Sequence, residues 1–323
     1  MSTKQSNDDP IKSIVFATRP SALARSQTRQ TMLALQAAWP GLDCAEKIVT
    51  TSGDRILDRP LPEIGGKGLF TQELENELLD GKVQAAVHSL KDLPVQAPHG
   101  TILAAIPARA DARDVLVSPG GHSLDSLPEG AITGTSSLRR AAQLLAQRPD
   151  LRIVPLRGNI DTRLKKAMQG QYDAIILAGA GLIRLNLEEY ITQWLPLDVM
   201  LPAPGQGALA VQCRADDAPT RGYIHALEDP NTRNATIAER AFLTGLGGGC
   251  SLPVAAYAIM EQGIVHLQGL AAAPDGSRLI RVKGQGQDPW ELGHELAQQA
   301  LAAGANEILS GASPFQTLQG KQE

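Results

Sequence analysis

The chain predicts an α/β fold: two α/β units of similar size around a cleft, followed by a small α+β unit. Three observations carry this. Short apolar runs alternate with helix-period patterns through the first third of the chain, and the same alternation restarts after Pro107. Beyond Asn231 the pattern changes to one helix, three successive strand-like runs and a final helix. Strand alternating with helix implies a parallel sheet covered on both faces. At 323 residues the chain is also longer than a single hydrophobic core usually serves.

In the first unit, residues 14–18 form an apolar strand that ends in Arg19-Pro20-Ser21, and Ser21 is placed to cap a helix over 22–38. Residues 48–50 read as a second strand, 69–79 as a helix and 83–87 as a third strand. In the second unit strands are expected at 115–117, 131–133, 153–154 and 174–177, with helices over 138–147 and 160–168. The segments 107–113 and 201–204 read as crossings between units. The second leads through Gly205-Gln206-Gly207 into 208–213, a strand that could complete the first sheet. In the last unit strands are expected at 254–259, 265–271 and 278–282, with a helix over 290–303. The expected domains are therefore 11–107 with 206–226, then 108–205, then 227–313.

A formal charge of −4 gives the whole chain no attraction for nucleic acid or an anionic membrane, so any anion site has to be local. Cys44, Cys213 and Cys250 are odd in number and far apart, with no Cys-x-x-Cys pair. Neither a disulfide framework nor a metal site is expected, and a reducing cytoplasm fits. Residues 1–10 are polar and no apolar run approaches the length of a bilayer, so neither a targeting signal nor a membrane span is expected.

Open parallel sheets bind ligands beyond the carboxyl ends of their strands. The residues that follow the expected strands are Arg19 and Ser21; Asp54; His88, Ser89, Lys91 and Asp92; Thr135, Ser136, Ser137, Arg139 and Arg140; Arg157 and Asn159; and Arg184. Most are cationic or hydroxylic. Thr135-Ser136-Ser137 lies where strand turns into helix, a place where backbone N–H groups and the helix dipole favour an anion. Arg139 and Arg140 add donors that can bind bidentately, and Arg157 and Arg163 extend the group. One arginine of this kind is ordinary solvated surface. A set that recurs in both units suits a long ligand bearing several carboxylates.

Asp92, the carboxylate of the run His88-Ser89-Leu90-Lys91-Asp92-Leu93-Pro94, is a candidate proton donor or acceptor. The commoner role of such a residue is a turn aspartate ahead of a proline. Gly65-Gly66-Lys67-Gly68 lacks the first glycine and the Ser/Thr of a phosphate loop, so no nucleotide site is expected there; Lys67 reads as a lid residue. Finally, Gly245-Leu246-Gly247-Gly248-Gly249-Cys250 sets one thiol on a glycine-rich loop between a helix and a strand. A lone cysteine is more often a small buried hydrophobe, but loops between regular elements are where chemistry concentrates.

These motifs together closely resemble the porphobilinogen deaminase (hydroxymethylbilane synthase) family over residues 14–259. The resemblance rests on Ala17-Thr18-Arg19, Gly65-Gly66-Lys67-Gly68-Leu69-Phe70, the 88–94 run, residues 134–140, Leu156-Arg157-Gly158-Asn159 with Thr162-Arg163-Leu164, residues 204–208, and Gly248-Gly249-Cys250. It implies two lobes resembling periplasmic binding proteins around a cleft, and a third domain with a cofactor cysteine on a loop. It further implies a dipyrromethane held through a thioether to Cys250. Four porphobilinogens would be joined to it head to tail with loss of ammonia, and water would release linear hydroxymethylbilane. By the same resemblance Asp92 handles protons. Arg19, Ser21, Lys91, Thr135, Ser136, Ser137, Arg139, Arg140, Arg157, Arg163, Arg184 and Gln206 bind cofactor or substrate carboxylates, and Lys67 and Phe70 belong to a loop over the cleft. Glu63 departs from the family, where lysine is frequent. A monomer acting in the cytoplasm is implied.

Two other readings use the same residues. A non-catalytic, two-lobed carboxylate-binding protein would use the cleft but leaves Cys250 without a purpose. A nucleic-acid-binding module using Arg139, Arg140, Arg163, Lys165 and Lys166 on phosphates is disfavoured by the acidic balance and by an aromatic content of 3%, which leaves few stacking platforms.

Overall fold

The computed structural model describes residues 11–55, 69, 71–95, 98–248 and 252–310. Lobe one opens with β1 (Ser13–Thr18), whose Ile14 and Phe16 are fully buried. The Ser21 side chain accepts the Ala24 N–H and so starts α1 (Ala22–Ala38), which packs Leu35 into the same core. Then come β2 (Asp43–Ile48), α2 (Ser52–Arg55), α3 (Gln72–Leu79), β3 (Ala85–Ser89) and β4 (Thr101–Ala105).

The chain crosses to lobe two as β5 (Asp114–Val117), β6 (Ile132–Gly134), α4 (Leu138–Gln147), β7 (Arg152–Val154), α5 (Ile160–Met168), β8 (Ala174–Ala178), α6 (Gly179–Ile183) and β9 (Gln193–Trp194). It returns to lobe one as β10 (Leu209–Arg214) and α7 (Ala218–His225). The C-terminal unit is α8 (Pro230–Gly245), a meander of β11 (Val254–Glu261), β12 (Ile264–Ala272) and β13 (Leu279–Gly286), then α9 (Pro289–Ala302) and α10 (Ala305–Ser310). Its core lies between the meander and α8 with α9. Phe242 covers Gly269 so closely that a Cβ there would come within 2.5 Å of the ring.

The strand order is β2-β1-β3-β10-β4 in lobe one and β7-β6-β8-β5-β9 in lobe two. These are the same arrangement. In each, one strand that has just crossed from the other lobe enters antiparallel to both neighbours: β10 between β3 and β4, and β5 between β8 and β9. The sheets are therefore mixed and not parallel throughout, as the alternation alone implied. A parallel neighbour needs a crossover over the sheet face, whereas a strand arriving directly from the other lobe enters from the opposite end.

A second correction concerns β2, which ends at Ile48 instead of spanning 48–50. Half of its residues are charged and none is fully buried because it is an edge strand, so residues 48–50 mark its exit. Among the described residues no helix is long and apolar enough to cross a membrane.

Candidate active site

The carboxyl ends of β1 and β3 form the lobe-one rim. Arg19, just past β1, bonds the Asp54 carboxylate through Nε and Nη2, and Asp54 also accepts the N–H and hydroxyl of Thr51. Burial pushes Asp54 up, yet Arg19 and Thr51 hold it below the usual carboxylate range. Past β3 the backbone makes a 3-10 turn, Leu90–Asp92, that carries Lys91 and Asp92. The turn is seated by the Leu90 N–H on the Ala208 carbonyl at 3.0 Å, and α1 orients its entry through Gln27, which donates to the Ser89 hydroxyl at 2.9 Å.

Lys91 donates to Gln206 Oε1 at 3.2 Å. Burial pushes its ammonium down to about 8, against the opposing pull of Asp92. Asp92 itself is exposed, and its carboxylate accepts no hydrogen bond among the described residues. Both Lys91 and Arg163 feel its charge.

Lobe two presents its cations at the ends of β6, β7 and β8. Arg139 and Arg140 start α4 and are almost fully buried, because both grip Asp114 at the start of β5. Arg139 reaches one carboxylate oxygen at 2.7 Å and Arg140 the other at 2.8 Å. Burial alone would raise Asp114, but the two guanidinium groups hold it well below the usual carboxylate range. Arg139 also donates to the Leu201 carbonyl and Arg140 to that of Ile176.

Ser136 ties β6 to the next loop by exchanging bonds with the Leu156 backbone, and Thr135 accepts the Ser137 N–H. Ser137 is the N-cap of α4 yet makes no side-chain capping bond. Arg157 is half-buried. Arg163 donates to the Gly158 carbonyl, and burial pushes it down to about 10. Arg184 reaches back to the Gly207 carbonyl at 2.8 Å, its Nε buried and without a partner among the described residues.

Gln206 joins the rims. It is 1% exposed, accepts from Lys91, and donates to the Ala112 carbonyl and to Asp114 at 2.9 Å. Gly207 beside it has φ +87°, and a Cβ there would lie 2.5 Å from the Ala110 carbonyl, so the two crossings pack backbone on backbone. Of the sequence-predicted residues, Lys91, Arg139, Arg140 and Gln206 are thus linked through Gln206 and Asp114, Arg184 bonds the second crossing, Arg163 feels the charge of Asp92, and Arg19 stays with Asp54 on lobe one. Lys67, Phe70, Glu63 and Cys250 lie outside the described residues.

Sequence reasoning missed Asp114, the anchor of the arginine pair. It also missed Glu239 of α8, fully buried, which binds Arg109 of the first crossing at 2.6 and 3.1 Å and accepts the N–H groups of Gly205 and Ala258. Neither has a local signature, since their partners lie tens to over a hundred residues away. A separate cavity of about 560 Å³ touches the first crossing, α8 and β11; none of the sequence-predicted site residues lines it.

Comparison with known proteins identifies the family. The family model described as porphobilinogen deaminase, dipyromethane cofactor binding domain, matches residues 14–222, and that for the porphobilinogen deaminase C-terminal domain matches 234–302. Proteins named porphobilinogen deaminase are similar over nearly their whole lengths. That of Roseiflexus castenholzii is 52% identical over 93% of this chain and 99% of its own, and that of Brevibacillus brevis 49% identical over 91% and 95%. Among solved structures, the methionine binding protein MetQ covers 68% of this chain and 91% of its own at 11% identity, with a TM-score of 0.40. On its family matches and its relatives, the chain belongs to the porphobilinogen deaminase family.

Proposed function

We propose that this chain is a transferase that joins four porphobilinogens head to tail, with loss of ammonia, onto a dipyrromethane held covalently by Cys250, and then releases hydroxymethylbilane by hydrolysis. One observation carries the reading. An exposed carboxylate, Asp92, which accepts no hydrogen bond among the described residues, stands where its charge acts on a cation of each lobe, Lys91 and Arg163.

The donor set fits a dipyrromethane. Such a group brings several carboxylates, and the rim offers half-buried Arg157 and Arg163, the uncapped Ser137 at a helix start, and Arg184 with a buried Nε that lacks a partner among the described residues. These residues with Arg19, Lys91, Thr135, Ser136, Arg139, Arg140 and Gln206 would hold or frame it, and Lys67 with Phe70 would close over it. When bound, it supplies the nucleophilic pyrrole carbon to which the first substrate is joined.

The chain's own residues supply charge and proton transfer. The aminomethyl nitrogen of porphobilinogen leaves as ammonia only if it is protonated, and the attacked pyrrole carbon then loses its hydrogen. Both steps need one group able to give and take a proton, which is the role of Asp92. The same carboxylate, ionised, stabilises positive charge that develops on a pyrrole nitrogen. Lys91 and Arg163 hold substrate carboxylates on either side of it. In this reading the domains are 11–107 with 206–226, 108–205 and 227–313, and the protein acts as a cytoplasmic monomer.

Intact mass under denaturing conditions, beside Cys250→Ser, tests the reading. An added mass matching a dipyrromethane is expected in the wild type and absent from the variant, with porphobilinogen turnover only in the wild type. Substrate binding without turnover or adduct would instead favour a carboxylate-binding protein.

A further inference from the structure

We propose that Arg240 is a positioning residue for Asp92, acting from the helix that also leads to Cys250. The inference rests on the roles proposed above for those two residues. The turn that carries Asp92 is only three residues long and closes at its exit with the Leu93 N–H on the Leu90 carbonyl at 3.2 Å. So short a 3-10 turn does not fix its own orientation. Its flanks are buried, Leu90 at 0% and Leu93 at 5% exposure, so the turn is held in place by donors from elsewhere to the Leu93 carbonyl and to the second lone pair of the Leu90 carbonyl.

Arg240 provides them. One guanidinium nitrogen donates to the carbonyls of Leu90 at 3.3 Å and Leu93 at 3.2 Å, and the other to that of Pro94 at 2.6 Å. The planar fork spans carbonyls on both sides of Asp92, which the point charge of a lysine does less well.

The helix that holds this fork is itself fixed. Glu239, the preceding residue and about 100° around α8, anchors it to Arg109, to Gly205 N–H and to Ala258 N–H. Five residues beyond Arg240, α8 ends at Gly245, and the chain continues to Cys250. Thr244, on the last turn, donates back to the Arg240 carbonyl at 2.8 Å. One anchored helix therefore sets the turn that carries Asp92.

The test compares full-length wild type with Arg240→Gln and Arg240→Lys by adduct mass, thermal midpoint, kcat and KM. The binding cations are untouched, so the adduct and a KM within about twofold should survive. Misplacing the reacting carboxylate by about 1 Å costs on the order of 100-fold. Arg240→Gln should accordingly lose about 10- to 100-fold in kcat, with Arg240→Lys between it and the wild type.

A lowered thermal midpoint with unchanged kcat, or a raised KM with unchanged kcat, would overturn the inference and leave Arg240 structural or ligand-binding. If Arg240→Gln fails to fold, Arg240→Lys decides: reduced kcat at unchanged KM supports positioning, and wild-type kcat overturns it. A wild type with neither adduct nor turnover would instead overturn the proposed function, and this inference with it.

Discussion

The two lobes share one strand order but place their carboxylates differently. In lobe two the inserted antiparallel strand opens on Asp114, fully buried and gripped by two arginines. In lobe one the corresponding strand, β10, opens on Leu209 after Gly207-Ala208, and the carboxylate stands instead on the turn after β3, exposed, as Asp92. A buried carboxylate between two guanidinium groups is locked in its ionised form and serves to hold Arg139 and Arg140 in place. An exposed carboxylate without hydrogen bonds can exchange protons. In the proposed function lobe two is thus the charged frame and lobe one carries the proton-transfer group.

The largest expected effect breaks the comparison at Asp92. Asp92→Ala should keep the adduct and the thermal midpoint but lower kcat by about 10²- to 10⁴-fold, the usual contribution of a positioned proton-transfer group. Near-normal kcat would remove Asp92 from the mechanism. The next test sits on the other lobe. Asp114→Asn leaves two buried arginines without their counter-charge and should cost about 3–5 kcal/mol in urea unfolding, together with the adduct. Asp54→Asn, which loosens the more exposed pair with Arg19, should cost about 1 kcal/mol. Equal costs would mean that the lobes do not divide as described.

Much of this was legible in the sequence, and the residues show why. The bounds of α1, α4 and α5 match their apolar periodicity to the residue, and Ser21 caps α1 as read. The cations of the rim were readable because Arg19, Lys91, Arg139, Arg140, Arg157 and Arg184 each follow a strand within about six residues, Arg163 alone lying deeper, in α5. What failed was non-local. The antiparallel entries of β5 and β10 depend on where the chain crosses between lobes, and β9, two residues long, has no period to read. Asp114 looks like one acid before an apolar strand until it meets Arg139 and Arg140. Glu239 and Arg109 are 130 residues apart.

Lys91 sharpens the comparison through pH. Burial holds its ammonium down to about 8, so it is charged at neutral pH and loses that charge as pH rises through 8. Its grip on a substrate carboxylate weakens in the same range, and KM for porphobilinogen should climb several-fold between pH 7 and 9. Stability moves the other way. Between about 8 and the ordinary lysine value near 10.4 the unfolded chain binds the proton that the native state has shed, so Lys91 makes the fold gain stability with rising pH. Lys91→Arg should flatten both limbs. A KM that is level to pH 9 in the wild type would show that Lys91 does not bind substrate.

The smallest expected effect lies one strand position before the rim. His88 in β3 and Leu177 in β8 occupy the same penultimate place in corresponding strands, and both are buried. In lobe two that position is apolar; in lobe one it is an imidazole whose Nε2 has no hydrogen-bond partner among the described residues. Burial pushes His88 down to about 4, with the side chain of Gln212 opposing and the charge of Arg19 adding. At pH 7 it is neutral in the fold and mostly neutral in the unfolded chain, so its contribution to pH dependence there is small. As pH falls through about 6.5 the unfolded chain takes up a proton that the native state refuses until about 4, so stability declines across that window. His88→Gln should remain within about 1 kcal/mol of the wild type at pH 7 and lose less stability between pH 6.5 and 4.5 in urea titrations. If the two proteins lose stability in parallel, the acid sensitivity of lobe one comes from its paired carboxylates, and His88 is as inert a filler as Leu177.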